Sequence, residues 1–321
     1  MRELPKVSLI TTERNEEASI SEFIESALSQ SMPPDEIIIA DGGSTDGTVE
    51  IIQQYIEGGS PLKLVHAPGN RSIGRNAAVE AARYEVIACT DVGSRLDKDW
   101  LLHITEPFAT NPQAMAVAGF FLPDPQSDFE RISSTLMLGP NDDIDLQTWL
   151  PSSRSVAFTK TAWAKAGGYP EHTNFNEDTP FDLALKAAGY KFEDGLKAIA
   201  YWRPRPNLKE FYRQYYYYAV GDGIDSIDAS RIYKLTTIYS MGLLAFLGGF
   251  LLHPWIGVVV IVLLLLRTAR RIYGAWKKIG GIKPALLMAV LIITYDISQM
   301  RGFWYGYFSR KRLSGSGKLV R

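Results

Sequence analysis

The sequence predicts an α/β protein, a Rossmann-like and mostly parallel sheet with helices on both faces, followed by a C-terminal α-helical membrane region. Three observations predict it. From residue 7 to about residue 200, short β-branched apolar runs alternate with stretches of helical period, the pattern of strands buried on both faces and joined by crossover helices. Some of these runs stop at a carboxylate followed by glycine or small polar residues, most clearly Glu36-Ile37-Ile38-Ile39-Ala40-Asp41-Gly42-Gly43. Finally, Leu235 to Leu266 holds no Asp, Glu, Lys or Arg, in a chain whose charged content is 21%.

Each element follows from local pattern. Val7-Ser8-Leu9-Ile10-Thr11 is the first strand. In residues 16–30 the apolar positions Ile20, Phe23, Ile24, Ala27 and Leu28 share a helical face, and Pro33-Pro34 ends it. Residues 37–40 form the second strand, and Asp46 or Thr48 can cap the helix over 48–56. A short third strand covers 62–66, an alanine-rich helix 72–83, and a fourth strand 85–90 that ends at Asp91. A helix over 99–108 and a strand over 114–120 follow. Residues 121–150 carry prolines, Asp142, Asp143 and Asp145 without a period, and read as a connector or an acceptor-facing loop. A strand over 155–159 and a helix over 161–166 lead to the break Gly167-Gly168-Tyr169-Pro170, and 178–188 form an amphipathic helix.

Bulk properties exclude several classes. A net charge of −1 offers no basic surface for nucleic acid. Cys89 is the only cysteine, so there is no intrachain disulfide and no thiol cluster for zinc, which fits a reducing compartment. The first residues lack the apolar core of a signal peptide, which predicts a cytosolic N-terminal domain. Neither G-x-G-x-x-G nor G-x-x-x-x-G-K-[ST] occurs, which disfavours a dehydrogenase or a P-loop NTPase.

Three acidic positions stand where ligands bind in open α/β sheets, outside the carboxyl ends of strands or at a helix mouth. They are Asp41, Asp91 and the pair Glu177-Asp178. Singly, each reads equally well as a turn former or a helix N-terminal charge. Together and in order they carry more. The segments VSLITTERNEEASI, ADGGSTDGT, NRSIGRNAAVEAA, IACTDVGSRLDKDWL, GGY and NEDTPFDLALKAAGY resemble, in sequence order, those of family 2 glycosyltransferases. The resemblance covers roughly residues 6–200 and implies the A-type glycosyltransferase fold, a nucleotide-sugar donor, transfer with inversion, and Mg²⁺ or Mn²⁺. It places Thr11, Glu13, Arg14, Asp41, Arg75, Asn76 and Asp91 at the donor nucleotide, with Asp41 accepting hydrogen bonds from the base. Arg75 reads otherwise as a helix-surface arginine. Asp91 matches the first acid of the family's DxD motif and so the metal. The chain departs from that motif at Gly93, where the second acid would stand. Asp178 matches the general base, with Glu177 beside it.

Residues 201–234 read as an aromatic, basic juxtamembrane connector. Arg203, Arg205, Arg213 and Gln214 are either diphosphate or acceptor contacts or part of a membrane-interface belt. Residues 235–321 read as the membrane region. A hairpin over 235–271, turning at His253-Pro254, keeps the basic residues of 267–283 and of the tail on the cytoplasmic side. Residues 285–308, interrupted by Asp296 and Arg301, read as an interfacial helix in preference to a third span. The sequence thus predicts a catalytic domain at residues 1–200 on the cytoplasmic face of a cell membrane, with a nucleotide-sugar, a lipid-linked or glycan acceptor and the bilayer as partners. The competing reading, motivated by Gly93, is a nucleotide-sugar-binding scaffold of the same fold with impaired transfer.

Overall fold

The structure is a computed structural model that describes residues 3–136, 144–253 and 281–316, and within 254–280 residues 255–259, 262, 263, 266, 269, 270, 272 and 273. Asp142, Asp143, the Pro254 turn and most basic residues of 267–280 lie outside the described residues. The chain divides into two compact units, one of residues 1–124 with 139–203 and one of residues 125–138 with 204–321.

The first unit is built on β1 (Val7–Glu13), α1 (Ile20–Leu28), β2 (Glu36–Asp41), α2 (Thr48–Glu57), β3 (Leu62–His66), α3 (Arg71–Ala81), β4 (Val86–Cys89), β5 (Ser94–Leu96), α4 (Trp100–Thr110) and β6 (Ala116–Pro123). After the short helix α5 (Asp128–Ser134), which belongs to the second unit, it continues with β7 (Val156–Thr159), α6 (Lys160–Ala166), α7 (Asp178–Ala187) and β8 (Phe192–Trp202). The eight strands form one sheet in the order β3-β2-β1-β4-β7-β6-β8-β5. β3, β2, β1 and β4 are parallel, and β7 runs antiparallel to both β4 and β6.

Side-chain alternation along the strands divides the core between two faces. Ile37 and Ile39 of β2 join Phe23, Ile24, Ile52, Trp100 and Ile104 from α1, α2 and α4. Ile38 and Ala40 join Ala78, Val79, Ala162, Phe181 and Leu185 from α3, α6 and α7. Hence a continuous apolar run is required where a one-sided sheet would alternate.

The sequence pattern did not reveal β5 and β8. β8 is long, but its buried positions Phe192, Gly195, Ala198, Ala200 and Trp202 are spaced by three before they are spaced by two. The pairing of β6 with β8 shifts register between Ala118 and Phe120, which conceals the alternation. Gly119 stands at that irregularity. A Cβ there would lie 2.0 Å from Ser155 Oγ. That hydroxyl donates to Ala198 O and accepts from Trp100 Nε1, each at 2.8 Å, so it has no alternative position at equal energy.

The second unit contains α8 (Leu208–Asp225), α9 (Ala229–Leu252) and α10 (Ile282–Ser316). Gly302 and Gly306 bring α10 against α8: a Cβ at either would meet the carbonyl of Tyr216 or Val220 at 2.1 Å. Ile132, Phe211, Tyr215, Met288, Leu291 and Ile292 form its apolar core. Asp296 is buried there and accepts a hydrogen bond from Tyr239 at 2.9 Å.

Gly119→Ala is expected to destabilise the first unit by about 1–3 kcal/mol, the usual cost of overpacking a core. Urea denaturation followed by tryptophan fluorescence measures it, and an unchanged midpoint would contradict the close packing of Gly119 on Ser155.

Candidate active site

The parallel strands β1, β2 and β4 end on one edge of the sheet, at Glu13, Asp41 and, two residues past Cys89, Asp91. β7 starts on that edge because it is antiparallel, so its lead-in Ser152-Ser153-Arg154-Ser155 arrives there too. α7 begins beside this lead-in. Ser152 Oγ donates to Asp178 Oδ2 at 3.2 Å, and the Ser153 amide reaches the same oxygen at 3.4 Å. The first unit therefore gathers all three acidic positions on one edge.

At the β1–β2 end, Glu13 and Asp41 are opposite each other in the parallel register. Ser44 links them: its amide donates to Asp41 Oδ1 at 2.8 Å and its hydroxyl to Glu13 Oε2 at 3.0 Å. His66 Nδ1 lies 3.0 Å from Asp41 Oδ2, with the ring largely exposed. Burial pushes the Glu13 carboxyl up to about 7; the Ser44 hydroxyl opposes this, and Asp41 adds to it. Burial also acts to raise Asp41, but the Ser44 and His66 hydrogen bonds outweigh it and hold Asp41 below the usual carboxylate range. The outcome is a carboxyl that titrates around pH 7 beside one that stays ionised. Thr11 is fully buried at the same strand end, and Arg14 is exposed.

Arg75 is not a surface residue. It is 1% exposed, and its guanidinium joins two of the acidic positions. Nη2 donates to Asp91 Oδ1 at 2.7 Å, and Nη1 pairs with Glu177 Oε1. The ring of Tyr169 lies 5.3 Å from its Cζ. Desolvation works against this buried cation, but Glu177 and Asp91 raise its pKa well above its ordinary value, so it stays charged. Burial would likewise push Asp91 up; Arg75, Arg154 and Arg71 overcome it and hold that carboxyl low.

Asp178 stands differently. Burial raises its pKa and adjacent Glu177 raises it further, with Arg75 and Arg154 only partly offsetting them. One turn along α7, Asp182 is buried, and burial with Asp178 pushes it well above the carboxylate range. A protonated Asp182 thus keeps a like charge away from Asp178. Asp178 is a carboxylate tuned upward, the direction that favours a proton acceptor.

The remaining sequence candidates are placed as follows. The Asn76 amide nitrogen donates to Tyr169 O and Glu171 Oε1, both at 2.9 Å, while its oxygen accepts from Tyr169 N and Trp163 Nε1. It braces the left-handed turn at Gly167 and Gly168. Arg205 Nε donates to Gln214 Oε1 at 3.1 Å, and Gln214 donates to the Tyr218 hydroxyl; Arg213 stacks over Tyr217. Those three residues belong to the second unit, and Arg203 ends the first.

Asp91 is the sole sequence candidate for a metal. Among the described residues no group of three or more His, Cys, Asp or Glu is placed to hold an ion. One Asp91 oxygen bonds to Arg75, while the side chain is 29% exposed. This donor set fits a hard cation that brings its remaining oxygen ligands with a diphosphate, as Mg²⁺ commonly does, and does not fit a protein-only cage.

Sequence reasoning missed Ser152, Arg154 and Asp182. Asp182 had a legible signal, one turn after Asp178 on a helix. Ser152 and Arg154 had none, since only the reversed direction of β7 brings them to this edge.

Comparison with known proteins agrees with this geometry. Residues 8–165 match the model of Glycosyl transferase family 2. The chain is 27% identical over 314 residues to succinoglycan biosynthesis protein ExoA of Rhizobium meliloti (strain 1021), covering 92% of this chain and 94% of that one. It is 32% identical over 115 residues to poly-β-1,6-N-acetyl-D-glucosamine synthase of Staphylococcus epidermidis, 35% of this chain and 28% of that protein. Among solved structures, the mannosyltransferase PcManGT from Pyrobaculum calidifontis in complex with GDP-Man and Mn²⁺ shares the fold, with a TM-score of 0.56 and 17% identity over 96% of this chain and 88% of that one. The matched segment makes residues 8–165 a domain of glycosyltransferase family 2 on a sheet of the A-type fold, and the protein a nucleotide-sugar-dependent glycosyltransferase.

Proposed function

We propose that the protein is a membrane-bound inverting glycosyltransferase. It moves a sugar from a nucleotide-diphosphate sugar to a hydroxyl of a lipid-linked or membrane-proximal glycan during cell-envelope polysaccharide synthesis, with its catalytic unit in the cytoplasm. The observation that carries this reading is Asp178: an upward-tuned carboxylate held by Ser152 and joined to Asp91 through Glu177 and Arg75. The names of the relatives, a succinoglycan biosynthesis protein and a polysaccharide synthase, support the pathway class.

In this mechanism the acceptor hydroxyl attacks the anomeric carbon opposite the diphosphate, through an oxocarbenium-like state of the kind met in glycoside hydrolysis. Asp178 takes the hydroxyl proton as the new C–O bond forms and the bond to the diphosphate breaks. A single displacement inverts the anomeric centre. Asp41 accepts from the base, beside Thr11, Glu13 and Arg14. Arg75 and Asn76 hold the surrounding acids and turn in place, and Glu177 sets the field at Asp178. Arg203, which ends the first unit, is a candidate contact of the diphosphate or the acceptor. Asp91 and the diphosphate oxygens would hold Mg²⁺ or Mn²⁺, which when bound neutralises charge on the leaving group; the Mn²⁺ named for PcManGT supports this.

Two features support the membrane. Lys283–Arg310 is a 28-residue helix that contains an 18-residue window of mean hydropathy 1.3, long and apolar enough by length and composition to cross a bilayer. Along α9, Met241, Leu243, Leu244 and Leu247 are each more than half exposed. Large apolar side chains grouped on a surface mark an interaction site.

Three measurements test this reading. Asp178→Asn is expected to lower kcat by about 100-fold or more, the usual worth of a general base, with donor affinity nearly unchanged. Turnover at the wild-type rate would remove Asp178 from the chemistry. The acid limb of the pH–rate profile is expected above the ordinary Asp value of about 4, since Asp178 must be ionised to act; a limb at or below that value would contradict the upward shift. The third concerns Glu13. Its folded pKa of about 7 exceeds its ordinary value of 4.5, so the folded state holds the proton more tightly and stability falls as pH rises between them. Glu13→Gln should therefore raise Tm relative to wild type at pH 8 and leave it close to wild type at pH 5. A wild type as stable as the variant at pH 8 would show that Glu13 is not shifted.

A further inference from the structure

Two arginines face Asp91, and they differ in one decisive respect. Arg75 is 2% exposed in its side chain and is committed to Asp91 and Glu177. The Arg154 side chain is 20% exposed, with Nε 3.8 Å from Asp91 Oδ2. Its guanidinium is held by ring faces: Cζ lies 5.4 Å from the Phe121 ring centre and 5.3 Å from that of Trp202. These rings reach the same edge because β6 and β8 are parallel and both end there. Cation–π contact holds a guanidinium by its faces and fixes the plane in which its N–H donors point.

A Cβ built on Gly93, at the place of the second acid of the family motif, would meet nothing within 4 Å among the described residues. A site that lacks that carboxylate carries one negative charge fewer next to the leaving group, and a planar guanidinium matches phosphate oxygens in a fork. Arg154 Nη1 also donates to Ser152 Oγ at 3.1 Å, and Ser152 donates to Asp178. A single chain of contacts thus joins Asp91, Arg154, Ser152 and Asp178.

We propose that Arg154, clamped between Phe121 and Trp202, grips the diphosphate of the donor and stabilises its departure. This inference rests on the nucleotide-sugar reading of the same edge. In the transfer step the C–O bond to the diphosphate breaks and its electron pair goes to the diphosphate oxygen. Arg154 donates hydrogen bonds to the charge that develops there and transfers no proton.

The test is isothermal titration calorimetry of purified full-length protein in EDTA, with UDP, GDP, CDP, ADP and dTDP and the matching monophosphates. The diphosphate that wild type binds most tightly is used with its monophosphate. Wild type is expected to prefer the diphosphate by at least tenfold. Arg154→Met should reduce that preference about tenfold, the worth of one charge-assisted hydrogen bond, with monophosphate affinity unchanged. Arg154→Lys should restore only part of it, since a point charge replaces the fork. An unchanged preference in Arg154→Met overturns the proposal, and so does an equal loss of monophosphate affinity, which would mark Arg154 as a structural plug. A wild type that binds none of the diphosphates, in EDTA or with Mn²⁺ in its place, overturns the nucleotide-sugar reading itself, and binding that requires Mn²⁺ overturns this proposal alone.

Discussion

The buried guanidinium of Arg75 is the constraint on which the rest of the site depends. A cation at 1% exposure is tolerable only with compensating charge, and it has two partners, Asp91 after β4 and Glu177 at the mouth of α7. Those partners are far apart in sequence and belong to different elements. Their shared arginine fixes where α7 begins relative to the strand ends. It also fixes the electrostatics: Asp91 is held low because it faces the arginines, while Asp178 is raised by burial and by Glu177. Two carboxyl groups on one edge acquire different proton affinities from the same cluster, the arrangement expected where one must stay ionised and the other must accept a proton.

The change of direction within the sheet supplies the rest. Four parallel strands alone would present Glu13, Asp41 and Asp91. The antiparallel β7 and the parallel pair β6–β8 add Arg154, Phe121 and Trp202 to that edge. The cost is a crowded junction, where Ser155 serves Trp100 and Ala198 and leaves room only for glycine at position 119.

Much of this was legible in the sequence, for physical reasons. β1, β2 and β4 are buried on both faces and therefore read as unbroken apolar runs. The acids following them, and Asp178 opening an amphipathic helix, could be located by position. Arg75 is legible as a candidate site residue, but its depth is not, because alanine-rich α3 gives no sign of which face is covered. The resemblance puts Asn76 beside the nucleotide, and the structure adds that its amide bonds hold the Gly167–Tyr169 turn. β8 escaped detection because a register shift breaks its alternation. Arg154 escaped because nothing local distinguishes an arginine before a short strand; its role depends on partners 33 or more residues away in β6, β8 and the Asp91 loop.

The central claim is that Arg75 binds Asp91 and Glu177 into one charge cluster. A double-mutant cycle on Arg75→Met and Glu177→Leu, read by chemical denaturation, tests it most directly. Arg75→Met alone should cost about 3–5 kcal/mol, because it strands a buried carboxylate. The double variant should recover a large part of that loss, with a coupling of about 1–3 kcal/mol. Additive losses from the two substitutions would contradict the account.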